Sequence, residues 1–397
     1  LSARPGFQLS GRNEVSGRFR SSQRSRISNP ISTMSTLFVS GQDVSKVVRR
    51  VGADLLMDEL ILRLENAFRE YNYESCHVPA RSGFYYDQPY TGLIEWMPLM
   101  RRGDSVLMKM VGYHPENPSA HNLPTILSTL SLFNAHTGHM DALADGTLLT
   151  ALRTGAASAI VSRWLAHPES RTLGLIGAGA QAMAQLHGLS RTFNLERTLV
   201  YDLDPAVSAT FAGRIEALDV DMKSVEVAEL DRVVAEADIL CIATSVVTGS
   251  GPVFDSTMRT KPYLHINAVG SDLPGKIEVP VEFLRKSFVC PDFRMQAEKE
   301  GECQQLEDRY IGPELSAIAR TPEKYQAHRN ELSVFDSTGF ALEDQVALEM
   351  ILDYAKELGI GTAMQVECSS LDPHNPYEFL DSAPNRDSNE ERVILNR

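Results

Sequence analysis

The chain has 397 residues, 43% hydrophobic and 23% charged, with a formal net charge of −14. That length exceeds what one hydrophobic core spans, so two domains are expected, and an ordinary composition with no long apolar run excludes a membrane-embedded or wholly disordered chain. The acid excess opposes nucleic acid, which needs basic stripes to neutralise phosphates, and leaves a small molecule as the expected partner.

Residues 1–33 hold six arginines, many serines and one acid, Glu14. With little apolar periodicity they are expected to form a disordered N-terminal extension. Their composition is that of an organelle transit peptide, or of translated sequence upstream of Met34. The expected compartment is therefore the cytoplasm, or an organelle if the segment is a targeting peptide. From 55 to 71 apolar residues recur at Leu56, Leu60, Leu64, Ala67 and Phe68, one face of an amphipathic helix. Residues 92–97, 106–111 and 125–133 read as short strands between Pro, Gly and charged turns. An Ala-rich helix over 151–165 stops near Pro168. Beyond it, strands at 172–176, 198–202, 238–243 and 263–268 alternate with helices at 180–193 and 205–218, the pattern of a parallel sheet wound by helices. A further helix spans 341–358, and the polar residues 382–397 read as a loose tail. The expected organisation is α/β: a Rossmann-type doubly wound dinucleotide domain, residues 166–319, inserted into a mixed α/β substrate-binding and dimerisation domain made of 34–165 and 320–381.

Residues 173–182 read Leu-Gly-Leu-Ile-Gly-Ala-Gly-Ala-Gln-Ala, a buried strand running into a glycine turn and then a helix. Gly177 permits the tight turn, Gly179 lets backbone approach a pyrophosphate, and Ala182 lets the helix pack on the strand. The exposed N–H groups of Ala178, Ala180 and Gln181 and the positive end of the helix then face the phosphates. Asp202 ends the next strand, where an acid binds the adenosine ribose. A carboxylate there favours NAD, because it would repel the extra phosphate of NADP, although Arg191 and Arg197 stand near enough in sequence to relax that preference.

Arg81, Glu95, Lys109, Arg153 and Asp272 lie in stretches dense in functional residue types. Taken singly, Arg153 also reads as a surface charge, Lys109 between two methionines as a snorkelling side chain, and Asp272 as a turn residue. The five cysteines have no paired spacing; Cys241 and Cys290 sit in apolar runs and read as buried structural thiols. His114, His136, His139 and His265 lack metal-ligand spacing, so no metal is expected. Gly-Ser-Gly at 249–251 reads as a loop near the adenine side.

In chain order the words Pro-Ala-Arg-Ser-Gly around Arg81, Gly-Leu-Ile-Glu-Trp-Met-Pro around Glu95, Leu-Met-Lys-Met-Val around Lys109 and Thr-Ala-Leu-Arg-Thr-Gly-Ala-Ala around Arg153 are followed by Gly-Ala-Gly-Ala-Gln-Ala. Then come His-Ile-Asn-Ala-Val-Gly-Ser-Asp-Leu-Pro-Gly-Lys around Asp272, Glu-Gly-Glu-Cys-Gln-Gln at 300–305 and Val-Phe-Asp-Ser-Thr-Gly-Phe-Ala-Leu-Glu-Asp at 334–344. Together, from about Leu37 to Leu380, they resemble the ornithine cyclodeaminase and mu-crystallin family. The resemblance implies that Arg81, Lys109 and Arg153 hold a substrate α-carboxylate, as three converging cations offset its desolvation. It implies that Glu95 and Asp272 meet the distal amino group, with Asp272 as general base. Thr154, Thr244, Val269 and Gly270 join the glycine turn and Asp202 in the NAD set, and a homodimer is implied as well. The implied activity is conversion of L-ornithine to L-proline and ammonia through internal hydride transfer. Two departures bear on the substrate: Ser271-Asp272-Leu273 replaces the usual Gly-Asp-Cys, and Gly112-Tyr113 replaces Asn-Gly. They leave the side-chain length open, so a lysine cyclodeaminase giving pipecolate is the alternative. Behind it stand a ketimine reductase, an alanine or opine-type dehydrogenase, and a non-enzymatic binder of mu-crystallin type.

Overall fold

A computed structural model describes residues 35–380 except 219, 221, 368, 369 and 371. The expected N-terminal extension and the 382–397 tail lie outside the described residues. Two sheets organise the rest. The first contains β1 (Thr36–Val39), β2 (Cys76–His77), β3 (Ser82–Tyr86), β4 (Gly92–Arg101), β5 (Ser105–Tyr113), β6 (Ile126–Asn134) and β7 (Met140–Asp145), and takes back a late strand, Thr362–Met364. Its order is Thr362–Met364, β1, β7, β6, β5, β4, β2, with β3 also paired to β4. Only β1 and β7 run parallel; the other pairs are antiparallel.

The second sheet holds β8 (Thr172–Ile176), β9 (Arg197–Tyr201), β10 (Ser224–Val227), β11 (Ile239–Ile242), β12 (His265–Ala268), β13 (Phe288–Pro291) and β14 (Ser333–Asp336). All its pairs are parallel, in the order β10-β9-β8-β11-β12-β14-β13. Strand order reverses between β8 and β11, the switch point at which doubly wound sheets bind ligands beyond the strands' carboxyl ends. The α/β expectation therefore holds. The boundary at 319, however, falls short of β14, which the chain reaches only at Ser333. A strand of four wholly buried residues has no alternation to betray it, because both of its faces are covered by helices. The helix expected over 205–218 is also two short ones, Pro205–Ala209 and Phe211–Ile215. They part at Thr210, whose hydroxyl bonds back to the carbonyl of Val207.

The stripe predicted for the first amphipathic helix is realised in Ala53–Glu70, where Leu56, Leu60, Leu64 and Phe68 are buried. That helix packs with Thr147–Leu165 and Ala341–Leu358 against the inner face of the first sheet, and two further apolar clusters flank the parallel sheet. Thr147–Leu165 joins the two halves. Gly155 on it meets the backbone carbonyl of Ala184 on helix Ala180–Ser190 so closely that any side chain would collide with it. The glycine thus brings the neighbouring Arg153 and Thr154 up to the dinucleotide turn. No helix among the described residues is long and apolar enough to cross a membrane.

Candidate active site

Period-two alternation decides which residues of the first sheet face inward. Lys109 on β5 is in register with Met97 on β4 and Leu130 on β6, both buried, so its long side chain enters the interior and is 1% exposed. Glu95 lies two residues before Met97 and faces the same way. Arg81 immediately precedes β3, and Arg153 comes from helix Thr147–Leu165. Opposite them the first turn of Ala341–Leu358 presents Glu343 and Asp344. Asp272 follows β12 at the carboxyl edge of the parallel sheet.

These groups form one contiguous cluster. Arg81 Nε stands 2.6 Å from Glu300 Oε1 and 3.4 Å from Glu95 Oε1. The same guanidinium donates to the backbone carbonyls of Asp272 at 2.5 Å and Thr338 at 3.1 Å. Lys109 Nζ lies 2.8 Å from Asp344 Oδ1, and that oxygen is 3.2 Å from Arg153 Nε. Arg153 Nη1 reaches Glu343 Oε2 at 2.8 Å. Thr338 and Gly339 separate the two guanidinium groups. Asp292 fixes this pair by accepting from the Thr338 hydroxyl and the Gly339 N–H, and a methyl on Gly339 would stand 2.9 Å from Arg153 Nη2. The side chain of Asp272 is one-third exposed and lies 3.0 Å from the buried Lys276 ammonium, which in turn sits over the ring of Tyr113.

Burial sets the electrostatics. It pushes Glu95 up to about 7, against the opposing pull of Arg81. It lowers Lys109 to about 8, against Asp344. It raises Glu343 to about 8, with Arg153 opposing. Burial alone would lower Lys276 as well, but Asp272 beside it leaves its pKa raised.

The glycine turn has the form a dinucleotide needs. Gly177 has φ +88°, and a Cβ there would stand 2.5 Å from the carbonyl of Ala243. Gly179 caps helix Ala180–Ser190 with no atom within 4 Å of where its Cβ would lie, so open space fronts the helix N-terminus. Asp202 accepts from the N–H groups of Ala178 at 2.7 Å and Asp204 at 2.9 Å. A carboxylate has lone pairs left after two such bonds, enough for ribose hydroxyls. The N–H of buried Ala178, expected to face the phosphates, is thus taken by Asp202, which leaves exposed Ala180 and half-buried Gln181 at the mouth of this turn.

The two arginines expected to relax an NAD preference are placed elsewhere. Arg191 is held by Asp54 and Asp58 of helix Ala53–Glu70, at 2.6 and 2.8 Å. Arg197 begins β9, at the end remote from Asp202, and pairs with Glu236. Among the other residues of the expected cofactor set, Thr154 bonds back to the carbonyl of Thr150 within its helix, and Val269 donates to Ile242. Thr244 and Gly270 both donate to Glu278, a buried acid that sequence reading did not single out. Also missed were Asp292, Lys276 and the partner acids Glu300, Glu343 and Asp344. The last three stand in the recognised words at 300–305 and 334–344, which carried no assigned roles. The 249–251 loop packs through Gly249 on Gly275, against the segment that carries Asp272. Cys241 and Cys290 are buried, and burial pushes both thiols up, Cys241 to about 12.

Comparison with known proteins gives a consistent result. Residues 42–359 match the model of the ornithine cyclodeaminase/mu-crystallin family. The chain is 43% identical to the L-lysine cyclodeaminase of Streptomyces rapamycinicus over 87% of its own length and 100% of that protein's. It is 32% identical to the ornithine cyclodeaminase of Brucella suis, over 86% and 93%. Among solved structures, one of a lysine cyclodeaminase recognising L-lysine, L-ornithine and L-2,4-diaminobutyric acid superposes with a TM-score of 0.82 at 47% identity, covering 86% of this chain and 99% of that one. An archaeal alanine dehydrogenase dimer with bound NAD superposes at 0.73 with 28% identity, over 84% and 100%.

Proposed function

Since the chain belongs to the ornithine cyclodeaminase/mu-crystallin family, we propose that it is an NAD-dependent cyclodeaminase closing a terminal diamino acid into a cyclic imino acid with loss of ammonia. L-Lysine is the leading substrate and L-ornithine the second. The observation that carries the reading is the double engagement of Arg81, which touches both the Glu95 carboxylate and the Asp272 backbone while sharing a cluster with Lys109 and Arg153. This adjacency supports a reading in which the cationic cluster takes the carboxylate and the neighbouring acids take the distal amine. Lysine precedes ornithine, reversing the order expected from sequence, because the relative named as an L-lysine cyclodeaminase is more similar than the one named as an ornithine cyclodeaminase.

In this account Arg81, Lys109 and Arg153 hold the substrate's α-carboxylate, the guanidinium groups by paired hydrogen bonds and the lysine as a point charge. The incoming carboxylate opposes the burial that lowers Lys109 and keeps it charged. Glu95 receives the distal ammonium. Asp272, reachable at the sheet edge and braced by Lys276, takes its proton and frees the amine to attack the α-carbon. NAD, held by the Gly177–Gln181 turn and Asp202, when bound supplies reversible acceptance of the α-hydride.

The outer face of the first sheet carries Phe84, Ile94, Met110 and Leu127, all exposed, with Phe84 paired to Ile94 across the strands. A contiguous apolar face of this kind marks an interface, and a homodimer through it is part of the proposal. Leu127→Glu should convert a dimer to a monomer in light scattering.

The test is an assay with catalytic NAD and either diamino acid. Ammonia and cyclic imino acid are expected with lysine at higher kcat/KM than with ornithine. Absence of both products from both substrates rejects the reading.

A further inference from the structure

Two family words, at 300–305 and 334–344, place buried acids behind the site that the mechanism above does not use. Asp336 ends β14, in register with Ala268 at the end of β12. Its carboxylate accepts from the backbone N–H groups of Glu302 at 2.9 Å and Cys303 at 2.8 Å. The carboxylate of Glu302 accepts from the backbone N–H groups of Glu278 at 2.8 Å and Val279 at 3.2 Å. The carboxylate of Glu278 accepts from the Thr244 N–H at 2.8 Å, the Thr244 hydroxyl at 2.5 Å and the Gly270 N–H at 3.0 Å. All three side chains are fully buried.

Asp336 and Glu302 thus each grip the backbone of the residue that supplies the next acid, and Glu278 grips Thr244 and Gly270. The series starts in the rigid parallel sheet and ends on the loops after β11 and β12. Ala243 and Val269 still donate to the neighbouring strands, but the next N–H groups, of Thr244 and Gly270, turn to Glu278 instead, and left unpaired away from water such groups are costly. A single side chain spanning both loops also fixes the distance between them. A methyl on Gly270 would overlap the Glu278 carboxylate, so the acid lies directly against the backbone of that loop.

We infer that Glu278, Glu302 and Asp336 are positioning residues that hold Thr244 and Gly270 at the spacing needed to receive the dinucleotide beyond the carboxyl ends of β11 and β12. The inference rests on the NAD reading above. It assigns the three acids a task that none of them performs by touching substrate or cofactor. Because the links are in series, loosening Glu302 acts through Glu278, and the effects of changing both overlap.

The test is NADH binding to purified, folded protein, followed by fluorescence, with thermal unfolding measured in parallel. Glu278→Gln replaces half of the acceptor by a donor facing backbone N–H groups, and should weaken NADH about tenfold or more. Glu302→Gln should weaken it by a smaller factor. The double variant should bind no worse than Glu278→Gln alone, as expected for coupled sites. Glu278→Asp, which keeps the charge, should recover part of the affinity. A purely structural role would lower the unfolding temperature and leave the dissociation constant of the folded fraction untouched, and that result overturns the inference, as does strict additivity. Should Glu278→Gln fail to fold, Glu302→Gln decides in the same way by its NADH affinity. Failure of the unaltered protein to bind NADH would instead reject the cofactor reading.

Discussion

The guanidinium of Arg81 is hydrogen-bonded at 2.5 Å to the backbone carbonyl of Asp272, which ties the start of the first sheet's β3 to the carboxyl edge of the second sheet. One side chain thereby aligns the cationic cluster with the acid proposed as base. Its remaining nitrogens serve Thr338, Glu300 and Glu95.

Arg81→Lys keeps the charge but cannot make these bonds in several directions at once. It should reduce kcat/KM for lysine about 10- to 100-fold, with part of the loss in kcat because the Asp272 loop is also released. Steady-state kinetics separate the two contributions. A rise in KM alone would mean that Arg81 only binds substrate.

Asp272→Asn preserves size and removes the proton acceptor. Turnover should fall by about 10²-fold or more, the usual contribution of general base catalysis. NADH affinity should remain within a few-fold of the unaltered protein, since Asp272 lies outside the glycine turn. Activity retained by the asparagine variant would remove the residue from the proton-transfer step.

The pH dependence follows from burial. Glu95, raised to about 7, must be ionised to meet the distal ammonium, so kcat/KM should drop as the pH falls below about 7. Lys109, lowered to about 8, must be charged to hold the α-carboxylate, so kcat/KM should also drop above about 8. A narrow bell between those limbs is expected in a profile of kcat/KM, which reports the free enzyme. Glu95→Gln should abolish the acidic limb along with most of the activity, and survival of that limb would assign it to another group.

Asp344→Asn withdraws the oxygen charge shared by two buried cations. Removing one partner of a buried ion pair typically costs about 3–5 kcal/mol, so the unfolding temperature should fall clearly. Burial already depresses Lys109 relative to the unfolded chain, and the substitution depresses it further. The unfolded state then binds the extra proton, and stability lost at neutral pH should be partly regained as pH rises. Denaturant unfolding at several pH values checks the sign.

What could be read from the chain beforehand is what local sequence encodes. The Gly177–Gly179 turn, the stripe of Leu56, Leu60, Leu64 and Phe68, and helix Ala341–Leu358 each carry their own period or backbone requirement. The placement of β14 does not, because its four residues are buried on both faces. Nor do the acids that neutralise the cations: Asp344 lies 235 residues from Lys109, and their pairing depends on two elements meeting in space. Arg191 and Arg197 illustrate the converse, since closeness to Asp202 in sequence says nothing about which end of β9 a side chain occupies. The family resemblance supplied the identities of Arg81, Lys109, Arg153, Glu95 and Asp272, but not the degree to which the cations are already paired.

The central claim is that one dinucleotide takes the α-hydride from the substrate and gives it back within a single turnover. L-Lysine deuterated at the α-carbon, incubated with the protein and a small amount of NAD, tests it directly. The account predicts ammonia, pipecolate carrying deuterium at its α-carbon, and no net gain of NADH. Accumulation of deuterated NADH in proportion to lysine consumed, or pipecolate without the label, would contradict it.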